Sequence, residues 1–141
     1  MEVTSSKDEN GLNRLIDANL NRLSEGIRVC EDVARYLHDN QKLSKTLKEL
    51  RHQCRLPDAI ERLGTRDALN DVLRPSTKSE QQRDSLENIL TANYHRAQES
   101  ARVLEEFCKL LYPNESEKFK QIRYALYSLE KEHQVLLSAL S

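Results

Sequence analysis

The chain has 141 residues, 32% of them charged and 38% apolar, with three Gly, three Pro and no Trp. Its 22 Lys+Arg and 23 Asp+Glu leave a net charge of −1, so no bulk electrostatic force draws it to nucleic acid or an anionic membrane. So few Gly and Pro give too little turn chemistry for a β-sandwich, and Gly11, Gly26 and Gly64 cannot spell a Gly-rich phosphate loop.

Residues 1–11 begin MEVTSSKDEN, too polar for a signal peptide, and are expected to form a flexible N-terminus. Residues 12–38 hold no Pro. Alternating steps of four and three give Leu12, Ile16, Asn19, Leu23, Gly26, Cys30, Val33 and Leu37, the heptad seam of a long helix packed along another. A shorter helix follows Asn40 with Leu43, Leu47, Leu50 and Cys54, broken by Pro57, with one or two further turns at 58–63. Residues 64–79 read as the one long connection. A second long seam runs through Leu86, Leu90, Asn93, Ala97, Ser100, Leu104, Phe107 and Leu111. Pro113 ends it, and Asn114 with Glu117 predicts a capping box for a medium last helix reaching about Ser138. No apolar run approaches the length of a membrane span. The odd set Cys30, Cys54 and Cys108 falls on core positions without metal spacing, which suits a reduced, cytoplasmic setting.

The chain repeats itself. Residues 18–37 and 92–111 align with eight of twenty positions identical: Ala18/Ala92, Asn19/Asn93, Arg22/Arg96, Glu25/Glu99, Arg28/Arg102, Val29/Val103, Glu31/Glu105 and Leu37/Leu111. The next helices align Leu50-Arg51-His52 with Ile122-Arg123-Tyr124. The expected fold is therefore all-α: an antiparallel helical bundle built from two duplicated helical hairpins, 12–63 and 80–139, in a single domain spanning 12–141. Packing alone would repeat the apolar positions and let the polar ones drift, yet here the reverse holds.

On a helical wheel Asn19 and Asn93 fall within the apolar stripe, and Arg22 and Arg96 sit about 60° away at its edge. A buried Asn pinning the helix register and Arg–Glu ladders to Glu25, Glu99 and Glu130 are the structural explanation. Arg22, Arg51, Arg96 and Arg123 approaching the interior from four helices is equally the pattern of a phosphate or carboxylate site. In the connection, Arg66, Asp67, Asn70 and Asp71 are residue types that could hold Mg²⁺ against a phosphate. The same spacing also suits a simple turn. Of the four His, only His52 beside Arg51 stands near this set, and a solvated surface position is its default.

LIDANLNRLSEGIRVCEDVARYL, LKELRHQC, RDALNDV, LTANYHRAQESARVLEEFCKLL and FKQIRYALYSLE follow one another in this order. Together they resemble the all-helical hydroxymethylpyrimidine phosphate kinase family of thiamin biosynthesis, whose domain is often fused ahead of thiamin-phosphate synthase (thiamine-phosphate pyrophosphorylase). The resemblance covers roughly residues 12–131, with the paired A-N-x-x-R-x-x-E-x-x-R-V-x-E blocks its specific feature. It implies ATP-dependent phosphorylation of a small phosphorylated pyrimidine to the diphosphate, with Mg²⁺. Carried over position by position, the matching polar residues are Asn19, Arg22, Glu25, Arg28, Arg51, His52, Arg66, Asp67, Asp71, Asn93, Arg96, Glu99, Arg102 and Arg123. Arg66, Asp67 and Arg96 are the expected catalytic groups and Asp67 and Asp71 the expected metal ligands. Asn19, Arg22, Arg51, Asn93, Arg102 and Arg123 are expected to bind substrate. The family pattern leads one to expect Gly after Asp71-Val72, where this chain has Leu73. That departure favours the alternative, a non-catalytic helical module that binds a phosphorylated pyrimidine or docks onto thiamin-phosphate synthase. Self-association stays open.

Overall fold

A computed structural model describes residues 6–75 and 84–140. The end of the expected 64–79 connection and residues 80–83 lie outside the described residues. Among the described residues all regular structure is helical, as the seams predict. The long helices are α1 (Ser6–Asp32) and α4 (Leu86–Leu111), with α2 (Gln41–His52), a short α3 (Ala59–Leu63) and α5 (Ser116–Leu140). No helix among them is long and apolar enough to cross a membrane.

α1 starts at Ser6, inside the segment expected to be flexible. Asp8 and Glu9 in its first turn favour the helix dipole, and Asn13 Nδ2 donates back to the Glu9 carbonyl at 3.1 Å. Asn40 caps α2 as expected, its side chain accepting from the Leu43 N–H at 2.9 Å. The expected capping box at Asn114 does not form. Pro113–Glu115 make a 3₁₀ turn that leads straight into α5, and Ser116 Oγ donates to the Glu105 carbonyl at 2.7 Å. The last helix is then nearly as long as α4 rather than medium.

α1 and α4 form the central antiparallel pair, with α2 flanking α1 and α5 flanking α4. Ile16, Leu23, Ile27 and Cys30 of α1 are fully buried against Leu90, Ala97, Ala101, Leu104 and Cys108 of α4. Leu43 and Leu47 close one side of this core, and Phe119, Ile122 and Leu126 the other. At Gly26 the backbones of the two long helices are in close contact. A Cβ there would lie 3.0 Å from the Asn93 carbonyl oxygen and 3.3 Å from Ala97 Cβ, so any larger residue would have to push the helices slightly apart. Its repeat equivalent Ser100 is also small and buried, with Oγ donating to the Arg96 carbonyl at 2.8 Å.

The first seam stops short of its expected end, whereas the second reaches Leu111, partly buried against the core. A π-helical turn at Val33–Leu37 follows α1. Its wider turn rotates the register, leaving Leu37 63% exposed, and Phe107 in the second seam is 36% exposed.

Candidate functional site

Where α1 and α4 run side by side, Asn19, Arg22, Asn93, Arg96 and Glu99 line an open groove of about 760 Å³. The described part of the connection closes one wall with Ala68, Asp71, Leu73 and Arg74. Both asparagines are anchored alike. Asn19 Nδ2 donates to the Leu15 carbonyl at 2.9 Å and Asn93 Nδ2 to the Ile89 carbonyl at 2.8 Å. These bonds run down each residue's own helix, not across to the facing one, so neither donates a side-chain hydrogen bond that would pin the register between helices.

Arg22 and Arg96 are exposed in this groove. Among the described residues neither makes an ion pair, and the expected pairing with Glu25 and Glu99 is absent. Two cations in one groove, each beside a fixed amide and neither ion-paired although Asp71 and Glu99 share the groove, give an anion-receptive surface.

Arg51 and Arg123 do not join them. Arg51 Nε donates to Glu31 Oε1 at 2.7 Å, and Arg123 Nη2 to Glu105 Oε1 at 2.9 Å. Glu31 and Glu105 are 2% and 6% exposed. Arg102 also donates to Glu105, at 2.7 Å, and its other arm lies 3.2 Å from Glu106. Burial pushes the Glu105 carboxyl up, but the hydrogen bond and charge of Arg123, with the charge of Arg102, outweigh it and hold the group below its ordinary value. The expectation of four arginines converging on one interior site is thereby corrected to two. The other two anchor flanking helices, and their partners are Glu31 and Glu105 rather than Glu25, Glu99 or Glu130.

Arg66 reaches back to α1 and forks onto Asp17, at 2.9 and 3.0 Å. This pair ties the connection beside a second groove of about 400 Å³, lined by Arg14, Arg22, Asp67 and Asp71 among others. Asp67 accepts from the Asn70 amide on both oxygens, at 3.0 and 2.8 Å, which keeps its carboxyl below the usual range. Asp71 Oδ1 accepts from the Leu73 N–H at 3.0 Å and lines both grooves. Among the described residues no group of three or more His, Cys, Asp or Glu could hold a metal. The donors present therefore fit Mg²⁺ only as an ion carried mainly by phosphate oxygens, with Asp71 the carboxylate common to both grooves.

Leu73 stands where Gly is expected, yet its backbone does not need Gly. The only described non-Gly residues with positive φ are Asp39 and Asp58. The Leu73 side chain is 83% exposed at the groove wall. Arg28 pairs with Asp32 at 3.4 Å, and His52 is exposed in the last turn of α2.

Two buried clusters carry no sign in the linear sequence. Arg62, 3% exposed, donates to the Pro57 and Leu56 carbonyls and to the Tyr112 hydroxyl, pinning α3 to the end of α4. Tyr94 and His133, both fully buried, share a hydrogen bond of 2.7 Å between the hydroxyl and Nδ1, and the His38 ring stands edge-on to His133 at 5.3 Å. Burial, with the neighbouring His38, lowers the His133 pKa to about 4. The cysteines are free and buried, and burial pushes the thiols of Cys54 and Cys108 up to about 12 and 11. They are inert packing residues.

A model of the ThiD2 family matches residues 14–132. Thiamine-phosphate synthase of Nostoc punctiforme is 38% identical over 121 residues, covering 83% of this chain and 34% of that protein. A Prochlorococcus marinus protein of the same name is 37% identical over 131 residues, 92% of this chain and 38% of its own. That of Rhodopirellula baltica is 32% identical over 133 residues, 91% and 36% respectively. The chain thus spans about a third of the length of the curated relatives it matches. No solved structure matches it.

Proposed function

The chain belongs to the ThiD2 family, and on that premise we propose that it works in thiamin biosynthesis as a phosphotransferase. Its reaction passes the γ-phosphoryl group of ATP to hydroxymethylpyrimidine phosphate. An oxygen of the acceptor phosphate forms the new P–O bond, the bond to the β-phosphate breaks, and ADP leaves. The observation that carries this reading is the pair Arg22 and Arg96, unpaired among the described residues, each beside a fixed asparagine in one groove of about 760 Å³.

The acceptor is already anionic, so the reaction needs no strong general base. It needs the charge of two phosphate groups neutralised at close range, and two guanidinium groups supply that. Mg²⁺, when bound with the phosphates, would add further charge neutralisation. Asp71 is the residue to meet it. Asn19 and Asn93 offer amide groups for orientation. Leu73 has no positive φ, so Leu fits the loop conformation of this chain without backbone strain.

The relatives' shared name, thiamine-phosphate synthase, supports a second reading, in which this chain serves such a synthase as a non-catalytic module. Leu69, Val72 and Leu73, 81%, 91% and 83% exposed on the connection, favour it, since such a cluster suits a protein contact. One assay separates the two. Incubation with hydroxymethylpyrimidine phosphate, ATP and Mg²⁺ yields the pyrimidine diphosphate and ADP by mass spectrometry on the first reading. On the second it yields no product, and the chain co-elutes with the synthase.

A further inference from the structure

Duplication gives the bundle two equivalent flanks, and the structure treats them differently. On the first flank, Asn21 and Ser24 of α1 line a cavity of about 370 Å³ whose far wall includes Ala59 and Leu63 of α3. On the second, the repeat equivalents His95 and Gln98 line a groove of about 460 Å³ with Glu99, Arg102 and Tyr127. The cause lies in the chain. α2 stops at His52, and α3 and Arg66 fold back beside α1, whereas α5 continues unbroken from Ser116 to Leu140. The second groove is walled by α4 and α5 alone. It adjoins the candidate phosphate groove, because His95 and Glu99 line both.

Tyr127 gives this groove its character. Its ring is 43% exposed but held. The hydroxyl accepts from Arg123 Nη1 at 3.3 Å, and the ring meets Tyr124 edge-to-face at 5.9 Å. Arg123 is fixed in turn by the buried Glu105. An exposed aromatic ring whose orientation is already set is a stacking platform for another flat ring, with little ordering entropy left to lose. Beside it stand polar groups suited to a base edge: Gln98, 7% exposed and held by Glu130 Oε1 at 2.8 Å, and Glu99.

We infer that the α4–α5 groove is the donor subsite, in which the base of a nucleoside triphosphate stacks on Tyr127 while its phosphates enter the adjoining groove toward Arg96. This rests on the phosphotransferase reading and adds to it the side from which the donor comes. The repeat explains why there is one such subsite. The equivalent cavity on the first flank is walled by α3 and Arg66 and has no aromatic ring among its lining residues, so the duplicated bundle offers one stacking position beside the phosphate groove.

The test is calorimetric titration of Mg-ATP and, separately, of hydroxymethylpyrimidine phosphate into wild type, Tyr127→Leu and Tyr127→Phe, with melting temperatures as a folding check. Loss of base stacking weakens Mg-ATP binding roughly tenfold in Tyr127→Leu, while Tyr127→Phe keeps the ring and stays within about twofold of wild type on the same grounds. Pyrimidine phosphate binding is unchanged in both. Wild-type and Tyr127→Leu proteins binding Mg-ATP equally would overturn the subsite and leave the phosphotransferase reading standing. Weakened pyrimidine phosphate binding in Tyr127→Leu would also overturn it, by giving the groove to the acceptor. Failure of the wild type to bind Mg-ATP at all would overturn the phosphotransferase reading itself.

Discussion

The Arg51 guanidinium forks onto the Glu31 carboxylate, Nε to Oε1 at 2.7 Å and Nη2 to Oε2 at 3.3 Å, with Glu31 only 2% exposed. The hydrogen bond to Glu31 raises the Arg51 pKa further. The same relationship recurs in the second half as Arg123 on Glu105. Each pair ties the long helix of a hairpin to the helix that follows it, so four of the residues the duplication repeats are accounted for by scaffold. Asn19, Arg22, Asn93 and Arg96 are not.

Arg51→Met should therefore destabilise the fold. It leaves Glu31 charged, buried and unpaired, and removing one partner of a buried pair is costly. With Arg51 itself 19% exposed, the expected loss is about 2–4 kcal/mol in urea unfolding. Arg22→Met removes a side chain with no ion-pair partner among the described residues and should stay within about 0.5 kcal/mol of wild type. Equal losses in the two variants would remove the distinction between scaffold and site.

The fold was legible because its signal is periodic and doubled. The seams, the cap at Asn40 and the repeat needed no knowledge of distant contacts. The groove pair Asn19/Arg22 and Asn93/Arg96 was legible as a set that duplication retained. The ion-pair partners were harder to assign. Glu31 and Glu105 stood among the identical positions, but which glutamate meets which arginine depends on how the second helix docks. The π turn after α1 was not legible, since nothing in VARYL opposes an ordinary helix. Nor was the Tyr94–His133–His38 cluster, which joins residues 39 positions apart and more through tertiary packing alone.

Gly26→Ala tests the close crossing of α1 and α4. Helix propensity alone would favour Ala by about 1 kcal/mol. Against it, the new Cβ meets the Asn93 carbonyl oxygen at 3.0 Å, an atom fixed in a helix, and overpacking of this kind costs about 1–3 kcal/mol. The expected net result is a lower melting temperature. Gly11→Ala in the same helix meets nothing within 4 Å and should raise it. A rise for both would mean that the helices separate there without cost.

Stability should fall on mild acidification because of His133. Its pKa in the folded protein is about 4, against roughly 6.5 for a free histidine. Well above pH ~6.5 both states are neutral and the difference costs nothing. Between those two pKa values the unfolded chain takes up a proton that the folded one refuses, so stability drops as pH falls. The contribution between about pH 7 and 5 is about 2 kcal/mol. Urea unfolding of wild type and His133→Gln at both pH values measures it. The variant, which keeps a hydrogen-bonding group near Tyr94, should lose less stability over that interval, and an unchanged slope would exclude His133 as the source.

Arg96→Met separates binding from scaffold most directly. Met keeps the length and apolar stem of the side chain but removes its charge and donors. Because Arg96 makes no ion pair among the described residues, the unliganded variant should melt within a degree or two of wild type, roughly what a surface change of about 0.5 kcal/mol gives. If Arg96 meets a phosphate, loss of that charge-assisted contact weakens ligand binding by about 1.5–3 kcal/mol. A ligand stabilises a fold in proportion to the logarithm of its concentration over its dissociation constant. At a fixed millimolar concentration of pyrimidine monophosphate or Mg-ATP, the shift seen in wild type should therefore shrink or vanish in the variant. Asn93→Ala, which leaves the cation but removes the neighbouring amide, should reduce the shift by less. A ligand-induced rise in melting temperature that survives at full size in Arg96→Met would exclude Arg96 from the site and with it the two-guanidinium account of phosphate binding. No rise in the wild type at millimolar ligand would favour the non-catalytic module instead.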